Sequence, residues 1–119
     1  MRIFILFILL LSIETSFAQG NLQFNQVITY NIGGIANNYD NVNFTVPVGK
    51  VWKIESAINW TGNPLMLYPN GVMSYGITLA SSSKTVSDFP IWLNAGYNGL
   101  FSIYQNRALI SIIEFNIVP

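Results

Sequence analysis

The sequence predicts an all-β fold: a single antiparallel β-sandwich, jelly-roll-like, with seven or eight strands behind a cleaved signal peptide. Three observations predict it. Apolar and polar residues alternate with a period of two along most of the chain. Clusters of Gly, Pro, Asn and Asp interrupt the alternation roughly every 8–12 residues, the spacing of sandwich strands. Past the leader, no window sustains a 3.6-residue period.

The chain opens with a processing signal, residues 1–18. Arg2 gives a positive start, Ile3 to Leu11 is unbroken apolar sequence, and Ser16 and Ala18 stand three and one residues before the expected cut. A spanning helix needs about 20 apolar residues, so a membrane anchor is disfavoured. The sequence has no cysteine, which removes both a lipid anchor at the junction and any disulfide. The expectation is one domain, residues 19–119, delivered to the periplasm, the cell surface or the extracellular space.

The domain's strands read in order. "LQFNQVITYNI" places Leu22, Phe24, Ile28, Tyr30 and Ile32 on one face, with Gln23, Asn25, Thr29 and Asn31 on the other. "GGIANNYDN" is turn chemistry. "VNFTV" follows with Val42, Phe44 and Val46 in phase. "FTVPVGKVWKIES" reads as a hairpin, with Pro47 at the second position of its turn and Gly49 free to take positive φ. The strand after it puts Trp52, Ile54, Ile58 and Trp60 on a core face, opposite Lys53, Glu55 and Asn59. "TGNP" is a loop, "LMLY" a short strand, and "PNG" a turn. "VMSYGITL" sets Met73, Tyr75, Ile77 and Leu79 in register. In "FPIWL", Phe89, Ile91 and Leu93 face in and Trp92 faces out, and Pro90 marks a strand start or an edge. After the "NAGYNG" turn and "LFSIYQN", the last strand turns Leu109, Ile113, Phe115 and Ile117 inward, with Glu114 and Asn116 outward.

"VPVGKVWKIES", "PIWLNAG" and "SIIEFNIVP" together resemble a group of small secreted bacterial β-sandwich proteins of mostly unknown function. The pattern is also similar to jelly-roll head domains of phage fibres and other attachment proteins. It covers most of the domain. Its motifs are turns and core strands, so the resemblance implies a fold and supplies no catalytic residue.

Composition narrows the chemistry. With no His and no Cys, the usual zinc and transition-metal sites and the Ser/His and Cys/His nucleophile systems are excluded. Calcium would have to use carbonyls around Asp40 in the Asn-rich loop, where the plainer reading is a turn. "GGIANN" lacks the Lys-Ser/Thr and the helix of a phosphate loop. A glycosidase needs two carboxylates about 5–9.5 Å apart. Glu55 and Glu114, read as facing outward on one sheet, are the only candidate pair, and ion pairing with Lys50, Lys53 or Arg107 explains them more simply. The expectation is therefore no enzyme and no cofactor. Lys50, Lys53, Lys84 and Arg107 balance Asp40, Glu55, Asp88 and Glu114, which leaves no basic footprint for nucleic acid and no segment for membrane insertion.

What remains is recognition without charge. Trp92, Tyr97, Tyr39, Tyr68 and Tyr104 are the candidate ligand-binding residues, read as lying in turns or on the polar face. Aromatic rings stack on the C–H face of a sugar while asparagine amides bond its hydroxyls, so the expected partner is a glycan or cell-surface ligand. The alternative is a self-assembling structural subunit, a homo-oligomer such as a trimer or fibre, docked through Val51, Ile110, Ile112 and Val118 read as outward apolar residues.

Overall fold

The computed structural model describes residues 21–60, 62–81, 84–85 and 88–119, so the leader read at residues 1–18 lies outside the described residues. The chain forms a β-sandwich of two antiparallel sheets. Its strands are β1 (Leu22–Gly33), β2 (Tyr39–Thr45), β3 (Lys50–Asn59), β4 (Leu65–Pro69), β5 (Ile77–Ser81), β6 (Lys84–Thr85), β7 (Ile91–Leu93), β8 (Asn98–Tyr104) and β9 (Arg107–Ile117). Eight have three or more residues, as expected, and β6 is a two-residue extension of one edge. One sheet runs β1-β9-β3-β7 and the other β2-β8-β4-β5-β6. Among the described residues, no helix is long and apolar enough to cross a membrane.

Neighbours in sequence are seldom neighbours in a sheet. Among the described strands, only β4–β5 and β5–β6 are joined within one sheet, and the other consecutive strands lie in opposite sheets. "FTVPVGKVWKIES" is thus an arch between sheets and not a hairpin: β2 pairs with β8, while β3 pairs with β9 and β7. In its turn the Lys50 N–H donates to the Pro47 carbonyl at 3.1 Å, which puts Pro47 first, Val48 second and Gly49 third. Gly49 takes φ of 77°, as the third position of a type II turn requires. "PIWLNAG" repeats the device between β7 and β8, with Tyr97 N–H on the Asn94 carbonyl and Gly96 at φ 80°. The two arches clasp each other through Val46 N–H to Tyr97 O and Gly96 N–H to Val46 O, both 2.9 Å.

The core is aromatic at its centre. Phe101 is fully buried and stacks on Phe44, with centroids 4.5 Å apart. Trp52 lies over the other face of the cluster, 5.5 Å from Phe44, and Tyr30 reaches both Trp52 and Phe101. Ile54, Leu65, Leu67, Leu79, Ile110 and Ile112 fill the rest.

Four expected registers differ from the observed ones. The run read as one strand over Met73, Tyr75, Ile77 and Leu79 breaks: Met73–Tyr75 form a 3-10 turn before β5, Met73, Tyr75 and Ile77 are exposed, and Leu79 alone of the four is buried. In β1, a bulge between Phe24 and Gln26 reverses the alternation, so Phe24 is 59% exposed while Ile28, Tyr30 and Ile32 turn inward. In β3, a second bulge between Ile54 and Ser56 does the same. Trp52 and Ile54 face the core as expected, but beyond the bulge Ala57 and Asn59 are buried and Ile58 and Trp60 are exposed. In β9 the whole strand is turned over: Ala108, Ile110, Ile112 and Glu114 face in, and Leu109, Ile113, Phe115 and Ile117 face out. Ile110 and Ile112 are core residues and not docking residues.

Glu114 explains the turn-over of β9. It is 3% exposed, yet it is fully engaged. Trp52 Nε1–H donates to one carboxylate oxygen at 2.7 Å, and Asn25 Nδ2 and Gln26 Nε2 donate to the other at 2.6 and 3.0 Å. The bulge in β1 is what lets Asn25 and Gln26, adjacent in sequence, reach the same oxygen. Lys50, at the arch, donates to Asn116 and adds its charge nearby. Burial alone would push the Glu114 carboxyl up. The three hydrogen bonds and Lys50 outweigh it and hold the group below its usual value of 4.5. The same burial, with the Glu114 charge beside it, raises the Tyr30 phenol.

Two predictions follow from this cluster. Trp52→Ala should cost about 3–5 kcal/mol, the usual penalty for emptying a large core site. Trp52→Phe keeps most of the ring but removes the donor to a charged group, and should cost about 1.5–3 kcal/mol. Urea midpoints for the two variants measure both.

The acid limb can be predicted with its sign. Glu114 has a folded pKa below its unfolded value, so its contribution is complete above the unfolded pKa. It is lost as pH falls through the folded pKa. The urea midpoint of the native chain should therefore drop on acidification below about 4.5, and Glu114→Gln should be less stable at neutral pH but lose less between neutral pH and acid. Parallel acid curves for the two proteins would remove Glu114 as a source of acid sensitivity.

Candidate functional site

Three of the five candidate aromatics converge. Tyr39 on β2, Tyr104 on β8 and Tyr68 on β4 line one concavity of about 340 Å³, with Asn63, Pro64, Met66 and Ser102. It opens on the outer face of the five-stranded sheet. That size suits a small ligand.

Strand order builds the site. β8 runs between β2 and β4, so residues remote in sequence become cross-strand neighbours. Tyr39 stands directly opposite Tyr104, and their rings meet at 4.8 Å and 57°. Ser102 lies between Asn41 and Met66 and forms the floor. Its hydroxyl donates to Asn41 Oδ1 at 2.6 Å. Tyr68 completes the wall because Gly76 leaves room for it: a Cβ on Gly76 would fall 2.5 Å from Tyr68 Cε1 and 3.0 Å from Met66 Cε.

The rim is anchored from below. Asn63 follows β3 on the short loop that leads to β4. Its backbone carbonyl accepts from Asn59 Nδ2 at 2.7 Å and Asn106 Nδ2 at 3.2 Å, two amides buried inside the sandwich. Its own side-chain amide donates to the Tyr104 carbonyl at 3.0 Å. Sequence reasoning named the tyrosines but missed Asn63, Met66 and Ser102. Asn63 in "TGNP" was readable only as a loop residue, and Ser102 only as one polar position in a strand.

The other two candidates lie elsewhere. Trp92 faces outward from β7, as expected, while Leu93 beside it is buried. It stands on the four-stranded sheet, stacked on Phe115 at 5.8 Å with the Lys53 ammonium 5.4 Å from its ring centroid. Tyr97 sits at the end of the second arch, half-buried, with its ring 6.1 Å from Phe44. Burial raises its phenol pKa.

The candidate carboxylate pair does not assemble. Glu114 points into the sandwich, whereas Glu55 pairs with Lys53 at 2.6 Å on the outside of the same sheet. Asp40 accepts the Gly33 N–H at 2.7 Å, which ties down the loop between β1 and β2. Among the described residues, no group of three or more His, Cys, Asp or Glu could hold a metal ion.

The pocket's lining carries no formal charge. It offers ring faces, phenolic hydroxyls, an asparagine amide and a thioether, which suits a neutral ligand with both C–H faces and hydroxyls. No protein-family model matches the chain, and no curated protein matches its sequence.

The pocket's shape can be tested without a ligand. Gly76→Ala should force the Tyr68 ring off its present seat, because the added methyl meets ring carbon well inside contact distance. Aromatic proton shifts of Tyr68 should move, while those of the Tyr30 ring in the core stay put.

Proposed function

We propose that the chain is a secreted, non-enzymatic binding module that takes a neutral carbohydrate, free or on a cell surface, in the pocket of Tyr39, Tyr68 and Tyr104. The observation that carries this reading is the uncharged pocket itself: three tyrosines from three strands around a serine floor and an anchored asparagine. The ring faces attract the polarised C–H groups of a pyranose, and Asn63 and the phenols serve its hydroxyls. A pre-set rim lowers the ordering cost of binding.

The finer topology supports the same reading. β1-β9-β3-β7 facing β2-β8-β4-β5 is the strand order of a jelly roll, an architecture that recurs in lectin and capsid domains. It fits the resemblance to secreted sandwich proteins and to the heads of attachment proteins. Fold alone does not assign a ligand, so the weight rests on the pocket. The expected leader at residues 1–18 supports an extracytoplasmic destination.

A glycan array probed with the purified protein tests the proposal. Hits should persist in EDTA and change little with salt, because the lining offers neither a metal site nor a charge. Affinity should fall in the millimolar to micromolar range, about −4 to −8 kcal/mol. Tyr39→Ala and Tyr68→Ala should each abolish binding with little change in melting temperature, whereas Trp92→Ala, on the other sheet, should leave it intact. Binding lost in Trp92→Ala and kept in Tyr68→Ala would overturn the assignment to this pocket.

A further inference from the structure

The outer face of the four-stranded sheet is as unusual as the pocket. Phe24 and Val27 on β1, Ile113, Phe115 and Ile117 on β9, and Trp92 on β7 share it, and Phe24, Val27 and Trp92 are each half or more exposed. We infer that this face docks a second copy of the chain, sheet against sheet, in a two-fold dimer of micromolar strength.

The register of β9 argues for an occupant. That strand has two faces, one of Ala108, Ile110, Ile112, Glu114 and Asn116, the other of Arg107, Leu109, Ser111, Ile113, Phe115 and Ile117. Four large apolar side chains, Leu109, Ile113, Phe115 and Ile117, are on the second, and it is the one turned outward. A partner on that face would recover burial that the fold leaves unused, at about 25 cal/mol per Å² of apolar surface.

Charge favours a like copy over other occupants. Lys53 and Glu55, on the same outer face, are already paired with each other, and the Lys53 ammonium also sits over Trp92. At the middle of the face a second copy therefore meets a charge pair that is already neutralised, the cation of Arg107 lies out at the end of β9, and the zero net charge of the chain creates no long-range repulsion between copies. An anionic lipid surface or an acidic partner would find no free basic cluster to hold it on this face.

Size sets the strength. Three long strands at about 4.8 Å spacing and about 3.4 Å per residue give a face of roughly 500 Å² per copy. The pair then buries roughly 1,000 Å², near the lower bound for a specific interface and typical of transient ones. Two such faces pack in the manner of a sandwich, about 10 Å apart and about 30° from aligned. Trp92 on Phe115 lies among these residues and supplies the aromatic anchor that such interfaces favour. The tyrosine pocket, on the other sheet, stays open in this dimer, and the two pockets face apart.

Sedimentation velocity on the protein as purified from the producing cell, its N-terminus read by mass spectrometry, is the test. Between about 1 and 100 µM the native chain should pass from monomer to dimer, as expected for an interface near the small end of the range. Val27→Lys should raise the dissociation constant at least tenfold, with an unchanged urea midpoint because Val27 is 58% exposed. Phe24→Gln is the second variant if the first fails to fold, and Tyr75→Lys, remote from this face, should dimerise like the native chain. A monomer at every concentration overturns the proposal. So does a dimer indifferent to both Val27→Lys and Phe24→Gln. Flotation of a monomeric native chain with phosphatidylcholine vesicles would assign the face to lipid and overturn it equally. None of these readouts depends on sugar binding.

Discussion

The interaction on which the rest depends is the bond from the Trp52 indole to the buried Glu114 carboxylate. A carboxylate loses several kcal/mol when it leaves water, and the loss is offset only if its oxygens are fully satisfied. Here one oxygen takes Trp52 and the other takes Asn25 and Gln26. Those donors come from β3 and from the bulged part of β1, so the bond set fixes the register of three strands at once. Shifting β9 by one residue would turn Glu114 to solvent and leave the Trp52 N–H buried without its acceptor. With no disulfide available, the hydrogen-bonded charge is what makes one register far better than its neighbour.

Much of the fold was legible because local pattern carries it. Period two marks the strands, Gly49 and Gly96 mark turns that only glycine makes easily, and Trp52 and Trp92 fall on the faces their neighbours imply. Pairing partners were not legible. The arch at Pro47–Lys50 and a hairpin use the same turn residues, and only the β8 and β9 contacts reveal which is present. The bulges near Asn25 and Glu55 were hidden because each occurs at a polar residue, where one extra position disturbs no apolar rhythm. Every later residue in that strand then changes sides, which is how Ile58 and Trp60 came out exposed. β9 misleads for another reason: "LISIIEFNI" is apolar on both faces, and the rule that acids face water picks the wrong one.

The candidate site was half legible. Exposed tyrosines can be named from a strand's alternation, but Tyr39, Tyr68 and Tyr104 become one site only through the order β2-β8-β4. The support beneath it was illegible, since Asn59 and Asn106 look like surface residues in sequence and are buried amides holding the Asn63 carbonyl. Buried polar groups of this kind are worth keeping only when satisfied, and among the described residues no buried side-chain nitrogen or oxygen lacks a partner. Placing satisfied amides under a loop is a rigid way to fix the rim of a pocket.

Glu114 also shapes the outer face of its own sheet. Because successive residues alternate sides, drawing Glu114 inward sends Ile113 and Phe115 outward, and the bulge that brings Asn25 and Gln26 to it leaves Phe24 and Val27 exposed beside them. The apolar face is therefore a geometric consequence of the buried charge. On β8, in the other sheet, the alternation stays simple: Phe101 and Ile103 inward, Ser102 and Tyr104 outward toward the pocket. One sheet presents a tyrosine-lined pocket on its outer face. The other is inverted by a single carboxylate and presents a hydrophobic face. A sandwich of this size can hold both without conflict because the two surfaces are set by different strands and separated by the whole thickness of the core.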